Sequence, residues 1–258
     1  MMTLRRFLLS AWLSYRALFI WLNPWGYVST RILAPILVTL LFSAVGRLTP
    51  TGATRPVIGG SLFAIGLACV YGLTLAVANE RDFGTLEIRA ATPEGQMATL
   101  LGKALPHALD GILSGCLTLA VVGTVFGVSI PVSFIGPLLL SMLAVALSCS
   151  ALGMFAAAVA VSTRDTFTTP NLFELLLTLL SGAFIAPERL PLGAEALSAA
   201  LPLRHGIEAA LQTLDGAGIS WDMLGMEVAV GAAWGVAGYA FLHWMMARAR
   251  RHATLSLM

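Results

Sequence analysis

Apolar residues run along this chain in long blocks, interrupted by short clusters of charge, proline and glycine. Blocks of this length suit helices that cross a bilayer, which need about 20 apolar residues each. The first block is different. On a helical wheel Phe7, Leu8, Ala11, Trp12, Tyr15, Leu18, Phe19 and Leu22 fall on one arc, with Arg5, Arg6, Ser10, Ser14 and Arg16 in the other half. An amphipathic helix over Leu4–Leu22, ended by Asn23 and Pro24, is therefore predicted to lie in the membrane interface. Its arginines should point to headgroups, with Trp21 and Trp25 at the aromatic belt. Arg16 in its middle disfavours a seventh span.

Spans are predicted at Tyr27–Val45, Val57–Ala78, Leu138–Val161, Asn171–Ile185 and Met223–Ala247. Another helix should begin near Gln96, enter the membrane around Gly111 and run to Val128. Arg31 is close enough to the start of the first span to snorkel. Arg47–Pro56 reads as a polar loop, Pro131 and Pro137 as a turn, and Arg164, Asp165 and Pro170 as a second short loop. The predicted fold is an all-α integral membrane protein with an interfacial helix over 1–26. A single six-span domain occupies 27–258, with a charged loop at 79–97 and a broken segment at 186–222.

Composition agrees with that class: 58% of the 258 residues are hydrophobic and 11% charged, against about 25% charged in soluble domains. The net charge of +2 carries no sign of nucleic-acid binding; the placement of the charges matters more. With the N-terminus inside, Arg5, Arg6, Arg16, Arg31, Arg81, Arg89, Lys103, Arg164, Arg248, Arg250 and Arg251 are cytoplasmic, and Arg47, Arg55, Arg189 and Arg204 external. That asymmetry predicts both termini in the cytoplasm. The opening MMTLRRFLLSAWL resembles a signal peptide, but Arg16 interrupts it and no small-residue cleavage site comes after it, so retention is expected. Cys69, Cys116 and Cys149 lie in apolar blocks and read as small packing residues, without disulfide or metal spacing.

Catalytic signatures are lacking. Gly102-Lys103 is followed by Ala104 and has no spaced glycine before it, so no phosphate-binding loop is present. No His-Glu-x-x-His or Gly-x-Ser-x-Gly occurs, and His107, His205, His243 and His252 are scattered. The chain is expected to bind no metal and not to be an enzyme by itself. Lys103, His107 and Asp110 share one face of the third helix. Either they pair and snorkel at the interface, or they form an intramembrane polar site. Glu174 is a second such candidate. Small residues at four-residue spacing (Gly111 and Gly115, Gly123 and Gly127, Gly153 and Ala157, Gly231 and Gly235) point to close helix packing.

Two stretches carry more. Ala78 to Pro93 holds five charges, Glu80, Arg81, Asp82, Glu87 and Arg89, between two apolar spans. Gly84 breaks it, Thr85 can cap a helix starting at Leu86, and Pro93 stops that helix. The second stretch reads SGAFIAPERLP, then Leu192 to Leu201, then PLRHGIEAALQTL; its apolar pieces are too short to span. Glu80, Arg81, Gly84, Thr85, Leu86, Glu87, Thr92 and Pro93 resemble the loop between the second and third spans of ABC transporter type-2 permeases. Ser181, Gly182, Phe184, Pro187, Leu190, Pro191, Pro202, Leu203, His205, Ile207, Glu208 and Ala209 are similar to that family's motif between the fifth and sixth spans.

The resemblance implies the membrane subunit of an ATP-driven exporter in the cell membrane. Two permeases, identical or different, would bind two ATPase subunits, which hold the ATP and Mg. Glu80, Arg81, Gly84, Thr85, Leu86 and Glu87 would couple to the ATPase. The broken segment would form external re-entrant helices, with Pro187, Glu188, Pro191, Leu197 and Leu201 at an external gate. A drug, peptide antibiotic or lipid cargo is expected, with a polysaccharide or glycolipid as the nearest alternative. An ion-coupled transporter would need internal repeats and broken midplane helices; Asp110, Glu174 and Glu227 are its only candidate coupling groups.

Overall fold

The apolar block Val57–Ala78 is hydrophobic on every side, and such a helix must be enclosed. In the computed structural model, which describes residues 2–21, 23–48, 52–85, 96–162, 165–191 and 193–252, that block is the central helix. The chain forms α1 (Met2–Trp21), α2 (Pro24–Gly46), α3 (Thr54–Asp82), α4 (Gln96–Phe126) and α5 (Val132–Ser162). It continues with α6 (Thr168–Leu180), α7 (Ala194–Ala200), α8 (Arg204–Gln212) and α9 (Trp221–His252). No strand occurs among the described residues. Helix α3 packs against α2, α4, α5 and α6, while α9 lies on α5 and α1 on α4. Ile58, Leu62, Ile65, Cys69 and Leu73 of α3 are completely buried at the centre.

Among the described residues, five helices, α2 to α5 and α9, are long and apolar enough to cross a membrane. The predicted fifth span, Asn171–Ile185, is the short one: α6 has 13 residues, about 20 Å of rise against a hydrocarbon core of about 30 Å. It stops at Ser181 because Gly182 takes a left-handed φ of 79°, and the chain then bends through Ser181–Ile185. Helix α5 begins six residues before the predicted span and contains Pro137, the residue expected to mark a turn. A helix in a membrane bundle tolerates such a proline because neighbours satisfy the freed carbonyl. At the start of α2, Asn23 both ends α1 and caps its successor, its Oδ1 accepting from Gly26 N–H at 2.7 Å.

Two expectations need correction. Polarity places Ser10 and Ser14 of α1 in a headgroup-facing half, yet Ser14 is buried and Ser10 half-buried. They sit on the face that meets α4, where a Cβ on Gly102 would lie 2.9 Å from Phe7 O and Ser10 Cβ. Leu8, Leu9, Trp12 and Leu13 face outward instead. In a bilayer the small polar side chains allow helices to touch, and leucine loses nothing by facing lipid. Arg31, expected to snorkel, is 6% exposed, and its Nη1 donates inward to Ala68 O at 3.3 Å.

Candidate functional site

Polar groups are collected at two places along α3. At its C-terminal end the helix runs to Asp82, and Gly84 takes a φ of 67° to turn the chain out of it. Thr85 Oγ1 donates back to Glu80 O at 3.2 Å, so Thr85 closes α3. The helix it was expected to cap, with Leu86, Glu87 and Pro93, lies outside the described residues, as do the side chains of Arg81 and Asp82. Glu80 is described: its carboxylate accepts from Lys103 Nζ of α4, which also donates to Ala76 O at 3.3 Å. The C-terminal end of α3 is thereby pinned to α4.

Lys103 begins a stripe whose other members point inward. Lys103, His107 and Asp110 are 9%, 0% and 7% exposed, so they are core residues of the bundle, facing α3 and α2. The Tyr27 hydroxyl donates to Asp110 Oδ1. Ser114, one turn beyond, donates to Arg31 O at 2.6 Å. Arg31 lies within electrostatic reach of both Asp110 and Glu174. His107 and Asp110 thus share one cluster with Arg31 and Tyr27, whereas Glu174 sits half-exposed on α6, across from it. The His107 ring fits only because residue 72 is glycine: a Cβ there would lie 2.3 Å from Nδ1. Gly72→Ala should lower stability by about 1–3 kcal/mol, the usual cost of overpacking. His107→Ala in the same chain should restore most of it, as read from thermal melting of the detergent-solubilised protein. Equal melting of the single and double variants would contradict this packing.

The second collection surrounds the start of α3. Arg55 Nη1 and Nη2 reach Glu208 Oε1 and Oε2 of α8 at 2.8 and 3.3 Å, and Nη1 also donates to Gly182 O at 3.2 Å. One guanidinium therefore joins α3, α8 and the break after α6. A little deeper, Glu227 of α9 is completely buried. It accepts from Leu203 N–H at 2.7 Å, from Gly206 N–H at 3.0 Å and from the Ser148 hydroxyl. Leu203, at the N-cap of α8, has the only positive φ of a non-glycine among the described residues, 89°.

The expected gate residues divide. Pro187 and Leu201 are buried within the chain, whereas Glu188, Pro191 and Leu197 are exposed. Reasoning from sequence singles out Glu208 and His205 by motif, and gives Arg55, Tyr27 and Trp234 no role in a site. An isolated arginine at the edge of an apolar block is the one available signal for Arg55; Tyr27 and Trp234 have none. Among the described residues no cluster of metal-ligating side chains occurs.

Three of the four small-residue pairs place a glycine against a neighbouring helix of the chain, whereas Gly127 meets nothing within 4 Å. Gly111 and Gly115 meet Ile65 and Ser61 of α3, Gly153 meets Cys69 O, and Gly231 meets Ser148. No curated relative matches the chain. Residues 9–214 match the family model described as ABC-2 type transporter. That is most of the chain and includes both polar collections except Glu227: the protein belongs to the ABC-2 type transporter family, whose members are the membrane subunits of ABC transporters.

Proposed function

We propose that this chain is the permease of an ATP-driven exporter that moves a hydrophobic or amphipathic molecule out of the cytoplasm. The carrying observation is the Glu80–Lys103 pair, which ties the C-terminal end of α3, where the charged loop begins, to the buried stripe on α4. A push on that loop is delivered to two packed helices at once, and from α4 to the Asp110–Tyr27 contact on α2. Rigid helices with paired polar groups transmit such a displacement, where a floppy loop would absorb it. Both termini and this loop face the cytoplasm in this reading, where the loop docks on an ABC ATPase. Two permeases and two ATPase subunits make the complex, and ATP and Mg sit on the ATPases. The cargo in this reading is a drug, antibiotic or lipid, with a polysaccharide as the alternative.

The test is purification of the tagged chain from its native membrane, followed by reconstitution. An ABC ATPase should co-purify, and the vesicles should move a fluorescent amphipathic dye only with hydrolysable ATP. Transport driven by an ion gradient without ATP would overturn the reading. Within it, Glu87→Lys should cut dye-stimulated ATP hydrolysis at least fivefold, since charge reversal at a docking surface costs on the order of 1 kcal/mol or more. Unchanged hydrolysis, with the complex still assembled, would remove Glu87 from the interface.

A further inference from the structure

The segment between α6 and α9 dips far into the bundle, and one face of α9 holds it there. The Leu203 side chain lies against Gly66, near the middle of α3, at 3.5 Å from where a Cβ would be. Ala200 O accepts from Trp234 Nε1 at 2.7 Å, near the middle of α9. Glu227, Gly231 and Trp234 succeed one another at four- and three-residue spacing, so they form a single stripe. Trp234 takes the last carbonyl of α7. Gly231 lets α9 reach Ser148, where a Cβ would come within 2.6 Å of the Ser148 Cα. Glu227 takes the first amides of α8.

A helix that starts inside a bilayer exposes amide hydrogens that have no partner in its own first turn. With no water at hand each is expensive to leave unmet. The Glu227 carboxyl meets that need with both oxygens: one accepts from Leu203 and Ser148, the other from Gly206. The left-handed Leu203 turns these amides toward it. Gly206 cannot hold a larger residue, since its Cβ would lie 2.4 Å from Val145. Helix α8 is thus fixed to α9 and α5 at its deep end and to α3 through Glu208 at its middle.

Helix α7 has much less. Besides the Trp234 bond, the Arg204 guanidinium holds it, with Nη1 donating to Glu195 O at 2.8 Å and Nη2 3.7 Å from Glu195 Oε1. Glu195 is well exposed.

We propose that Glu227 is a positioning residue for the gate: it anchors α8 as a fixed post, and α7, bearing the exposed Leu197, is the part that moves against it. This rests on the permease reading given above. The separation of roles comes from the difference in ties, since α8 has anchors on three helices while α7 has one hydrogen bond to α9 and an exposed contact with Arg204.

Hydrogen exchange of the full-length protein in nanodiscs tests the anchor, and dye transport in the reconstituted complex tests its use. In Glu227→Gln the amide nitrogen turns one acceptor into a donor aimed at an N–H. Amides in peptides covering 201–212 should then exchange about tenfold faster or more. Peptides covering 57–77 and 143–160 should keep their protection. Ser148→Ala, which removes one donor and no charge, should show a smaller change in the same segment. The Glu227→Gln complex should hydrolyse ATP normally and move less dye per ATP. Unchanged exchange at 201–212, or equal loosening of all three regions, would overturn the anchor. Altered exchange with unchanged dye per ATP would overturn its role in the gate. If the wild-type complex moves no dye, the permease reading fails instead, and the exchange result still decides the anchor.

Discussion

Asp110→Ala is expected to destabilise the protein by about 3 kcal/mol, because the Tyr27 hydroxyl loses its acceptor and the buried Arg31 loses a carboxylate within electrostatic reach. The thermal midpoint in detergent should fall by on the order of 10 °C. Asp110 is buried and accepts from Tyr27, while Arg31, also buried, donates to Ala68 O and lies within electrostatic reach of Asp110. Without the carboxylate, the guanidinium is left in a low-dielectric site against a backbone carbonyl, and the Tyr27 hydroxyl loses its acceptor. Removing the arginine as well should be kinder: Arg31→Met with Asp110→Ala should recover more than half of the loss, because no uncompensated charge remains. Asp110→Asn preserves the acceptor for Tyr27 and should fall between. If the losses of Arg31→Met and Asp110→Ala simply add in the double variant, the two groups do not interact, and the cluster has been misread.

The other large effect is expected at the opposite end of α3. Glu208→Ala leaves Arg55 with Gly182 O, and should cost about 3 kcal/mol, since the pair is mostly enclosed, with side chains 18% and 21% exposed. The residual exposure allows water to offset part of the loss, so the lower end of the range applies. More informative is where the damage appears. Arg55 joins α3, α8 and the chain after α6, so Glu208→Ala should loosen 181–186 and 204–212 together in hydrogen exchange. Exchange there should rise on the order of tenfold or more, with α4 and α5 unaffected. Arg55→Met with Glu208→Met should restore most of the melting temperature, because a pair of apolar side chains fills the same space without a charge to solvate. A double variant as unstable as Glu208→Ala would mean that the guanidinium works mainly through Gly182, and the ion pair contributes little.

Membership of the class is legible early because it depends on quantities that add along the chain. Long apolar blocks with few charges must be helices in lipid, since only internal hydrogen bonding satisfies a backbone there. The blocks also locate α2 to α5 and α9 to within a few residues, with ends shifted where a proline reads as a stop. The charged loop and the broken segment before α9 are legible for the same reason: each departs from an otherwise uniform pattern. The orientation of α1 is not. A helical wheel sorts residues by polarity, and near a bilayer polarity does not identify the protein-facing side; Ser10 and Ser14 go to α4, and the leucines stay outside.

What the amino-acid sequence determined by itself is therefore the helical membrane architecture, the order of its blocks, and the two motif-bearing stretches by which it resembles the ABC-2 type family. The tertiary structure decided which polar residues meet. Tyr27 and Asp110 are 83 residues apart in sequence, Arg55 and Glu208 are 153 apart, and Ser148 and Glu227 are 79 apart. Periodicity along one helix can say which face a carboxylate occupies, as it does for Asp110, but the partner lies on another helix whose rotation depends on all its neighbours. Those rotations are set by where neighbouring helices can approach closely, at Gly72, Gly102 and Gly231. Burial of a charge is acceptable only where such an approach brings donors to it. The sequence supplies the charge and the glycine separately, and only packing puts them together.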